Sequence, residues 1–304
     1  PDGRIRGLTQ FCGAARTGRW AGRLVQMQNL PQNKMPDSEL DAARRLVREG
    51  DLETLEMLFD DTAGTLSQLI RTAFIPKPGC RFIVADFSAI EARVLAWLAD
   101  EEWRMDVFNT HGKIYEASAS QMFGVPIELI KKGNPEYALR QKGKVAELAL
   151  GYQGSTGALI NMGALDMGIP EEDLPDIVSR WREANKRIRD LWYSMDNAAV
   201  QVITQGGSVG INGLLLAREY DYNQGTDCFT IQLPSGRKLY YVSPGIGENQ
   251  WGNPSISYMG MDQKTKRWKR IETYGGKLVE NCVQAVARAI RLLPLPRLCT
   301  RAEP

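Results

Sequence analysis

The sequence contains a single histidine and no closely spaced cysteines. Its single histidine, His111, excludes histidine-rich metal cages and leaves one possible base for a serine or cysteine nucleophile. The cysteines are odd in number, far apart and never spaced as Cys-x-x-Cys, which argues against a disulfide framework and against a zinc site. They are Cys12, Cys80, Cys228, Cys282 and Cys299. We therefore expect a protein of a reducing, cytoplasmic compartment.

Long apolar runs and a strong net charge are also absent. No run approaches the roughly 20 apolar residues that a membrane-spanning helix needs. Lys plus Arg (38) nearly balances Asp plus Glu (36), so net charge argues neither for nor against nucleic acid. Locally, residues 1–23 contain one acid, Asp2, and the arginines Arg4, Arg6, Arg16, Arg19 and Arg23. Such a stretch is typical either of a solvated loop or of a segment that contacts phosphates.

Hydrophobic periodicity predicts a mixed α/β (α+β) fold. Apolar residues recur at helical spacing in four regions, and two shorter regions are typical of strands. Helices are predicted within 38–73, 89–99, 112–205 and 276–291, with one segment at 126–132. Strands are predicted at 81–85 and as a hairpin at 229–233 and 238–242, around the turn Pro234-Ser235-Gly236.

Asp86 directly follows the apolar run 81–85, which predicts a short buried strand. A carboxylate at a strand end is held rigidly and exposed at the edge of the sheet, which suits a hard cation such as Mg²⁺. The alternative is that Asp86 is a turn residue. Ser88 and Glu91 also have the spacing of a capping box, in which Glu91 satisfies a helix N-terminus.

A basic stripe is predicted on one helix. Arg140, Lys144, Leu148 and Tyr152 are four residues apart, and each step of four drifts by only about 40° around a helix. Two cations followed by an apolar and an aromatic residue could grip a triphosphate and stack a base. A solvated basic face is the alternative.

Three strings resemble motifs of family A (polymerase I-like) DNA polymerases of the kind that bacteriophages carry. Residues 86–96, Asp-Phe-Ser-Ala-Ile-Glu-Ala-Arg-Val-Leu-Ala, resemble Asp-Tyr-Ser-Gln-Ile-Glu-Leu-Arg. Residues 140–152 resemble the fingers-helix pattern Arg-x-x-x-Lys-x-x-x-Phe-Gly-x-x-Tyr. Residues 17–31 resemble Thr-Gly-Arg followed by Leu-Gln-Asn-Ile-Pro. Leu148 stands where the family has Phe, and Gln153 where it has Gly.

The resemblance implies roles at the nucleotide. Asp86 would bind two catalytic Mg²⁺ ions, assisted by the Phe87 carbonyl, and Glu91 would exclude a 2′-hydroxyl. Arg140 and Lys144 would bind the β- and γ-phosphates. Tyr152 would stack near the template base, and Leu148 belongs to the same nucleotide-binding set.

The resemblance also implies a DNA primer–template as partner, with deoxynucleoside triphosphates as substrates. Arg19, Gln28 and Asn29 would contact the primer terminus and the minor groove, where acceptors at every correct base pair allow a check of shape without reading sequence. Without the resemblance, this segment is a polar loop. We expect a monomer, encoded by a phage and acting in the cytoplasm of a bacterial host.

The same likeness implies a domain order. A palm with an antiparallel sheet would comprise 1–111 and 207–290, a mostly helical fingers subdomain would comprise 112–206, and residues 291–304 would be an aberrant tail.

The last palm motif of the family, His-Asp-Glu, is absent, and the chain starts without Met, as an excised piece or one lacking its start would. We therefore expect a truncated DNA-directed DNA polymerase with little or no activity alone. A non-catalytic DNA- and nucleotide-binding fragment, or an unrelated Mg²⁺ phosphohydrolase built on Asp86, are the alternatives.

Overall fold

The computed structural model describes residues 5–221, 225–248, 252, 254–262 and 265–292, and only the backbone of Gln28, Asp221, Arg291 and Leu292. The chain forms two compact units. The smaller comprises Pro1–Ala14 and Arg19–Phe87, and the larger comprises Ala15–Gly18 and Ser88–Pro304. The division into palm, fingers and returning palm stays a prediction. Most of the expected aberrant tail lies outside the described residues.

The smaller unit is mostly helical. Its strands β1 (Thr9–Gln10) and β2 (Ala21–Gly22) pair antiparallel. Its helices are α1 (Asp37–Glu49), α2 (Leu52–Leu58) and α3 (Thr62–Leu69). The helical region expected at 38–73 is divided because Gly50 ends α1 in the left-handed conformation, with φ of 73°. Asp51 and Asp61 then cap α2 and α3 by accepting hydrogen bonds from backbone N–H groups.

The core of the smaller unit is small. Ala43, Leu46 and Leu55 form its buried cluster, with Met35, Phe59 and Leu69 packed around them. Burial of apolar surface contributes only about 25 cal/mol per Å², so a cluster of this size stabilises the unit weakly.

The prediction of a buried strand at 81–85 is wrong. The segment has neither strand nor helix, and Phe82, Ile83 and Val84 are 58%, 81% and 91% exposed. A strand is stable when a neighbour accepts and donates its backbone hydrogen bonds, and no described residue pairs with this segment. The apolar pattern indicated burial but carried no information about a partner strand.

The larger unit contains most of the helices. They are α4 (Ile90–Ala99), α5 (Glu102–Thr110), α6 (Ile114–Phe123), α7 (Leu139–Leu150), α8 (Thr156–Asn161), α9 (Leu174–Ala184), α10 (Lys186–Gln205) and α11 (Gly275–Leu292). The helix expected at 126–132 is only a 3₁₀ turn, Ile127–Leu129, directly after Pro126. His111 caps the C-terminal end of α5.

A six-stranded antiparallel sheet completes the larger unit. Its strands β3 (Ser208–Ile211), β4 (Leu214–Asp221), β5 (Thr226–Gln232), β6 (Lys238–Glu248), β7 (Pro254–Met261) and β8 (Trp268–Thr273) follow one another in chain order. The expected hairpin is confirmed: Phe229 of β5 pairs with Tyr241 of β6. Helices and an antiparallel sheet in one chain confirm the mixed α+β class.

Helix α10 lies at the centre of this unit. It contacts α4, α9 and α11 as well as strands β3 to β7. Alternate side chains of the sheet, including Leu216, Phe229 and Ile231, are buried against it. Within the described ranges, no helix is long and apolar enough to cross a bilayer.

The exposed segment before Asp86 predicts a site of proteolysis. Arg81 is exposed and lies outside any helix or strand, whereas Arg189 lies within α10. Proteases cleave backbone that can open locally. Brief trypsin digestion should therefore cleave after Arg81 well before Arg189, and mass spectrometry of the fragments would identify the site. Simultaneous cleavage at both arginines would contradict the exposure of the segment at Arg81.

Candidate active site

Helix α7, which carries the basic stripe, packs very closely on α6. A Cβ at Gly143 would overlap the carbonyl oxygen of Tyr115 and lie 3.1 Å from Cβ of Ala119. Only glycine therefore allows the two helices this approach. The side of α7 that carries Val145, Ala146 and Leu150 is fully buried.

The stripe runs along the boundary between this buried side and solvent. Arg140 and Lys144 are half-buried, and Leu148 is 47% exposed. The stripe is therefore accessible along its length to a ligand that approaches from outside.

Arg140 is held in place by a carboxylate and two aromatic rings. Its Nε donates to Glu116 of α6 at 2.8 Å, and its guanidinium carbon lies 5.4 Å from the ring centre of Tyr115 and 6.0 Å from that of Tyr137. The hydrogen bond to Glu116 raises the pKa of Arg140 above its usual value. The terminal nitrogens of Arg140 form no hydrogen bond with any described residue, so this edge of the guanidinium can take an anion.

The two lysines of α7 differ in their surroundings. Lys142 donates to Asp173 at 2.6 Å, whereas Lys144 forms no ion pair with any residue that the structure describes. Of the two ammonium groups, that of Lys144 is available to a negatively charged ligand.

Glu91 and Tyr152 come together from distant parts of the sequence. The hydroxyl of Tyr152, just after α7, donates to Oε2 of Glu91 in the first turn of α4 at 3.4 Å. The chain around Tyr152 is fixed on both sides: Nε1 of Trp192 donates to the carbonyl of Gly151 at 3.0 Å, and Gln153 accepts from the N–H of Gly276 at 3.0 Å.

The capping-box alternative for Glu91 is wrong. Helix α4 begins at Ile90, and its N-cap is Ala89, in the left-handed region and without a side-chain hydrogen bond. Instead, the carbonyl of Ser88 accepts from Nε of Arg93 at 3.0 Å. Glu91 is thus directed by its tertiary environment and not by the helix terminus.

Asp86 and Phe87 end the smaller unit. Both are exposed, Phe87 by 41%. Among the residues that the structure describes, no group of three or more His, Cys, Asp or Glu side chains is arranged to hold a metal ion. In this part of the chain, the candidate ligands for a magnesium ion are the carboxylate of Asp86 and the carbonyl of Phe87; Mg²⁺ is commonly bound by one or two carboxylates together with waters and substrate oxygens.

The expected primer-contact residues also belong to the smaller unit. Arg19 is half-buried, and its carbonyl accepts from the N–H of Ala14 at 3.0 Å. Asn29 ends a 3₁₀ turn, is exposed and donates to the side chain of Gln26. The side chain of Gln28 lies outside the described part of the chain.

Arg16 has a structural partner that sequence reasoning missed. Its guanidinium lies over the ring of Tyr258, 4.2 Å from the centroid, and burial lowers its pKa. Nearby, Arg237 donates to the carbonyls of Thr17 at 2.8 Å and Ala285 at 3.2 Å. These contacts fix residues 15–18 on the sheet and α11. No signal in the sequence links Arg16 with a tyrosine more than 200 positions away.

Comparison with known proteins gives one family. The family model described as DNA polymerase family A matches residues 2–207. The DNA polymerase of Bacillus phage SP02 is 56% identical over 300 residues, which is 98% of this chain and 44% of the phage protein. DNA polymerase I of Rhizobium leguminosarum is 36% identical over 125 residues, and the thermostable DNA polymerase I of Thermus aquaticus is 32% identical over 124 residues.

The coverage of these relatives is partial. The chain spans less than half the length of the phage protein, and the matches span 11% and 14% of the Rhizobium and Thermus proteins. Both bacterial matches cover 41% of this chain.

The close contact of α7 and α6 predicts a marked effect of Gly143→Ala. The new Cβ would overlap a backbone oxygen, and overpacking costs about 1–3 kcal/mol. The matched control is Gly157→Ala, in α8, where no atom lies within 4 Å of the added Cβ; it should be neutral or gain up to about 1 kcal/mol in helix propensity. Urea denaturation would measure both free energies of unfolding, and equal effects would contradict the packing described.

Proposed function

We propose that this chain, which belongs to DNA polymerase family A, carries the nucleotide-binding surface with which the whole protein adds deoxynucleotides to the 3′ end of a DNA primer. The observation that carries the proposal is the stripe on α7. It presents Lys144, without an ion-pair partner among the described residues, beside Arg140, whose terminal nitrogens are available.

A triphosphate fits the stripe by charge and geometry. Its β- and γ-phosphates carry most of its negative charge, and an arginine edge can donate two parallel hydrogen bonds to one phosphate. Lys144 would supply a compact second charge one turn further along the helix. Leu148 and Tyr152 continue the stripe towards the base.

Asp86 is the proposed magnesium ligand, with the carbonyl of Phe87. One carboxylate and one carbonyl could hold a single Mg²⁺ together with substrate phosphates, whereas the second ion of a two-metal mechanism would need the carboxylate of the last palm motif, which belongs to the complete enzyme. When bound, Mg²⁺ would lower the pKa of the primer 3′-hydroxyl and neutralise charge that develops during phosphoryl transfer. The chain's own contributions are to hold the phosphates at Arg140 and Lys144 and to orient the sugar.

Glu91 is the proposed sugar-selecting group. The hydrogen bond from Tyr152 restrains its carboxylate, so the side chain would not move aside for a 2′-hydroxyl. A restrained side chain discriminates by steric exclusion, and the same contact keeps Tyr152 next to the nucleotide.

Arg19, Gln28 and Asn29 are the proposed contacts to the primer and the minor groove. The partners would be a primer–template DNA and deoxynucleoside triphosphates. We also propose that the protein acts in the cytoplasm of a bacterial host, because the phage relative is similar over nearly the whole chain.

Lys144→Ala and Lys142→Ala provide a matched test. Each removes one charge from α7, but only Lys144 would contact phosphate. A charged hydrogen bond contributes about 1.5–3 kcal/mol, so Lys144→Ala should weaken deoxynucleoside triphosphate binding about 10- to 100-fold. Lys142→Ala should change it little. Titration with a fluorescent deoxynucleoside triphosphate would give both dissociation constants.

Primer extension with Mg²⁺ would separate synthesis from binding alone. Steady incorporation by this chain would exclude the non-catalytic nucleotide- and DNA-binding alternative. Triphosphate binding without incorporation would support that alternative for the chain by itself. Equal affinity of the two lysine variants would contradict the phosphate role of the stripe.

Glu91→Ala should relax sugar selection. The loss of one close steric contact corresponds to about 1–3 kcal/mol of discrimination, so ribonucleotide use by the whole protein should rise about tenfold or more relative to deoxynucleotide use. Glu128→Ala, which removes an exposed carboxylate elsewhere, is the control. Competition between ribo- and deoxynucleotides in primer extension would measure the ratio, and unchanged selection would contradict the role of Glu91.

A further inference from the structure

A buried pair of opposite charges connects α7, the helix of the basic stripe, to α5. The side chains of Arg104, on α5, and Glu147, on α7, are 1% and 3% exposed. Both terminal nitrogens of Arg104 donate to the carboxylate, Nη1 to Oε1 at 2.9 Å and Nη2 to Oε2. The ion pairs of Arg140 and Lys142 are partly exposed by comparison, and exposed pairs constrain geometry weakly.

Two further residues, Trp181 and Asn185, form hydrogen bonds with the buried pair. Nε1 of Trp181, on α9, donates to Oε1 of Glu147 at 3.0 Å. Asn185 accepts from Nη1 of Arg104 at 2.8 Å and donates to the carbonyl of Trp181 at 2.8 Å. The carboxylate of Glu147 thus accepts three N–H bonds from two other helices.

This arrangement is not explained by stability alone. Removing two charges from water costs several kcal/mol each, and apolar residues of similar volume often stabilise a core as well or better. Nε of Arg104 is moreover buried without a hydrogen-bond partner among the described residues. What the bidentate pair adds to the apolar packing of α7 is a pair of hydrogen bonds with a defined direction.

The direction in which Arg104 holds Glu147 affects the basic stripe, because Glu147 lies close to Arg140 and Lys144 around the axis of α7. Glu147 follows Arg140 by seven residues, about 20° around the helix, and follows Lys144 by three, about 60°. Since α7 is one continuous helix over Leu139–Leu150, fixing Glu147 fixes the direction of both cations. The contact at Gly143 sets the distance between α7 and α6, and the buried side chains of Val145, Ala146 and Leu150 anchor the helix in the core. The bidentate pair adds a restraint that has a defined direction.

We propose that Glu147, held by Arg104 and Trp181, is a positioning residue that sets the rotation of α7 about its axis and so presents Arg140 and Lys144 to the phosphates of a nucleotide. The inference rests on the proposed function, since it takes these two cations to be the phosphate-binding groups. Both side chains are almost fully buried, so they would act through α7 and not by contact with a substrate.

The test is the neutral double variant Arg104→Met with Glu147→Gln. The amide at position 147 keeps an acceptor for Trp181 and the same shape, while the bidentate charged pair is removed. The urea midpoint should stay close to that of wild type. The affinity for a deoxynucleoside triphosphate should fall about tenfold, whereas the affinity for the monophosphate, which has no β- or γ-phosphate, should not change.

Arg104→Lys is the second variant, in case the double variant does not fold. It keeps the buried charge but loses the two parallel bonds, and triphosphate affinity should fall by at least threefold at unchanged monophosphate affinity. If either folded variant kept the wild-type ratio of triphosphate to monophosphate affinity, the positioning role would be overturned. A wild-type chain without preference for the triphosphate would instead overturn the proposed function, and this inference with it.

Discussion

The placement of α7 is the constraint on which the candidate site depends. Gly143 allows the helix to touch the backbone of α6, and Glu147 connects it to α5 and α9. At its C-terminal end, Trp192 of α10 holds the carbonyl of Gly151. Because a helix of three turns behaves as a rigid rod, these contacts, together with the buried side that carries Val145, Ala146 and Leu150, orient the side chains of the basic stripe as a group.

The residues of the proposed site belong to two units that differ in the size of their buried cores. The stripe, Glu91 and Tyr152 belong to a unit with an extensive core around α10. Asp86, Phe87, Arg19 and Asn29 belong to a unit whose buried cluster has three members. Binding residues often lie on segments of low local stability, and the proposed metal and primer contacts follow that tendency, whereas the phosphate contacts do not.

Local sequence patterns correctly predicted those elements whose apolar residues follow the period of a helix or a strand. The helices at 89–99 and 276–291 and the hairpin around Pro234 were found because apolar spacing and turn residues agree. The strand predicted at 81–85 is not formed because a strand also needs a partner strand. The segment 126–132 contains only a 3₁₀ turn, because so short a segment makes too few hydrogen bonds to be a stable helix by itself. The capping box considered for Ser88 and Glu91 is not formed, because α4 begins at Ile90 and its N-cap is Ala89.

The sequence by itself determined the chemical types of the candidate site and their order along α7, since a spacing of four places side chains on one face of any helix. Only the tertiary structure decided which groups meet. Glu116 and Arg140 are 24 positions apart, Arg104 and Glu147 are 43 apart, and Glu91 and Tyr152 are 61 apart. Such contacts depend on how closely whole helices pack, and packing is a sum over many side chains that no single motif encodes.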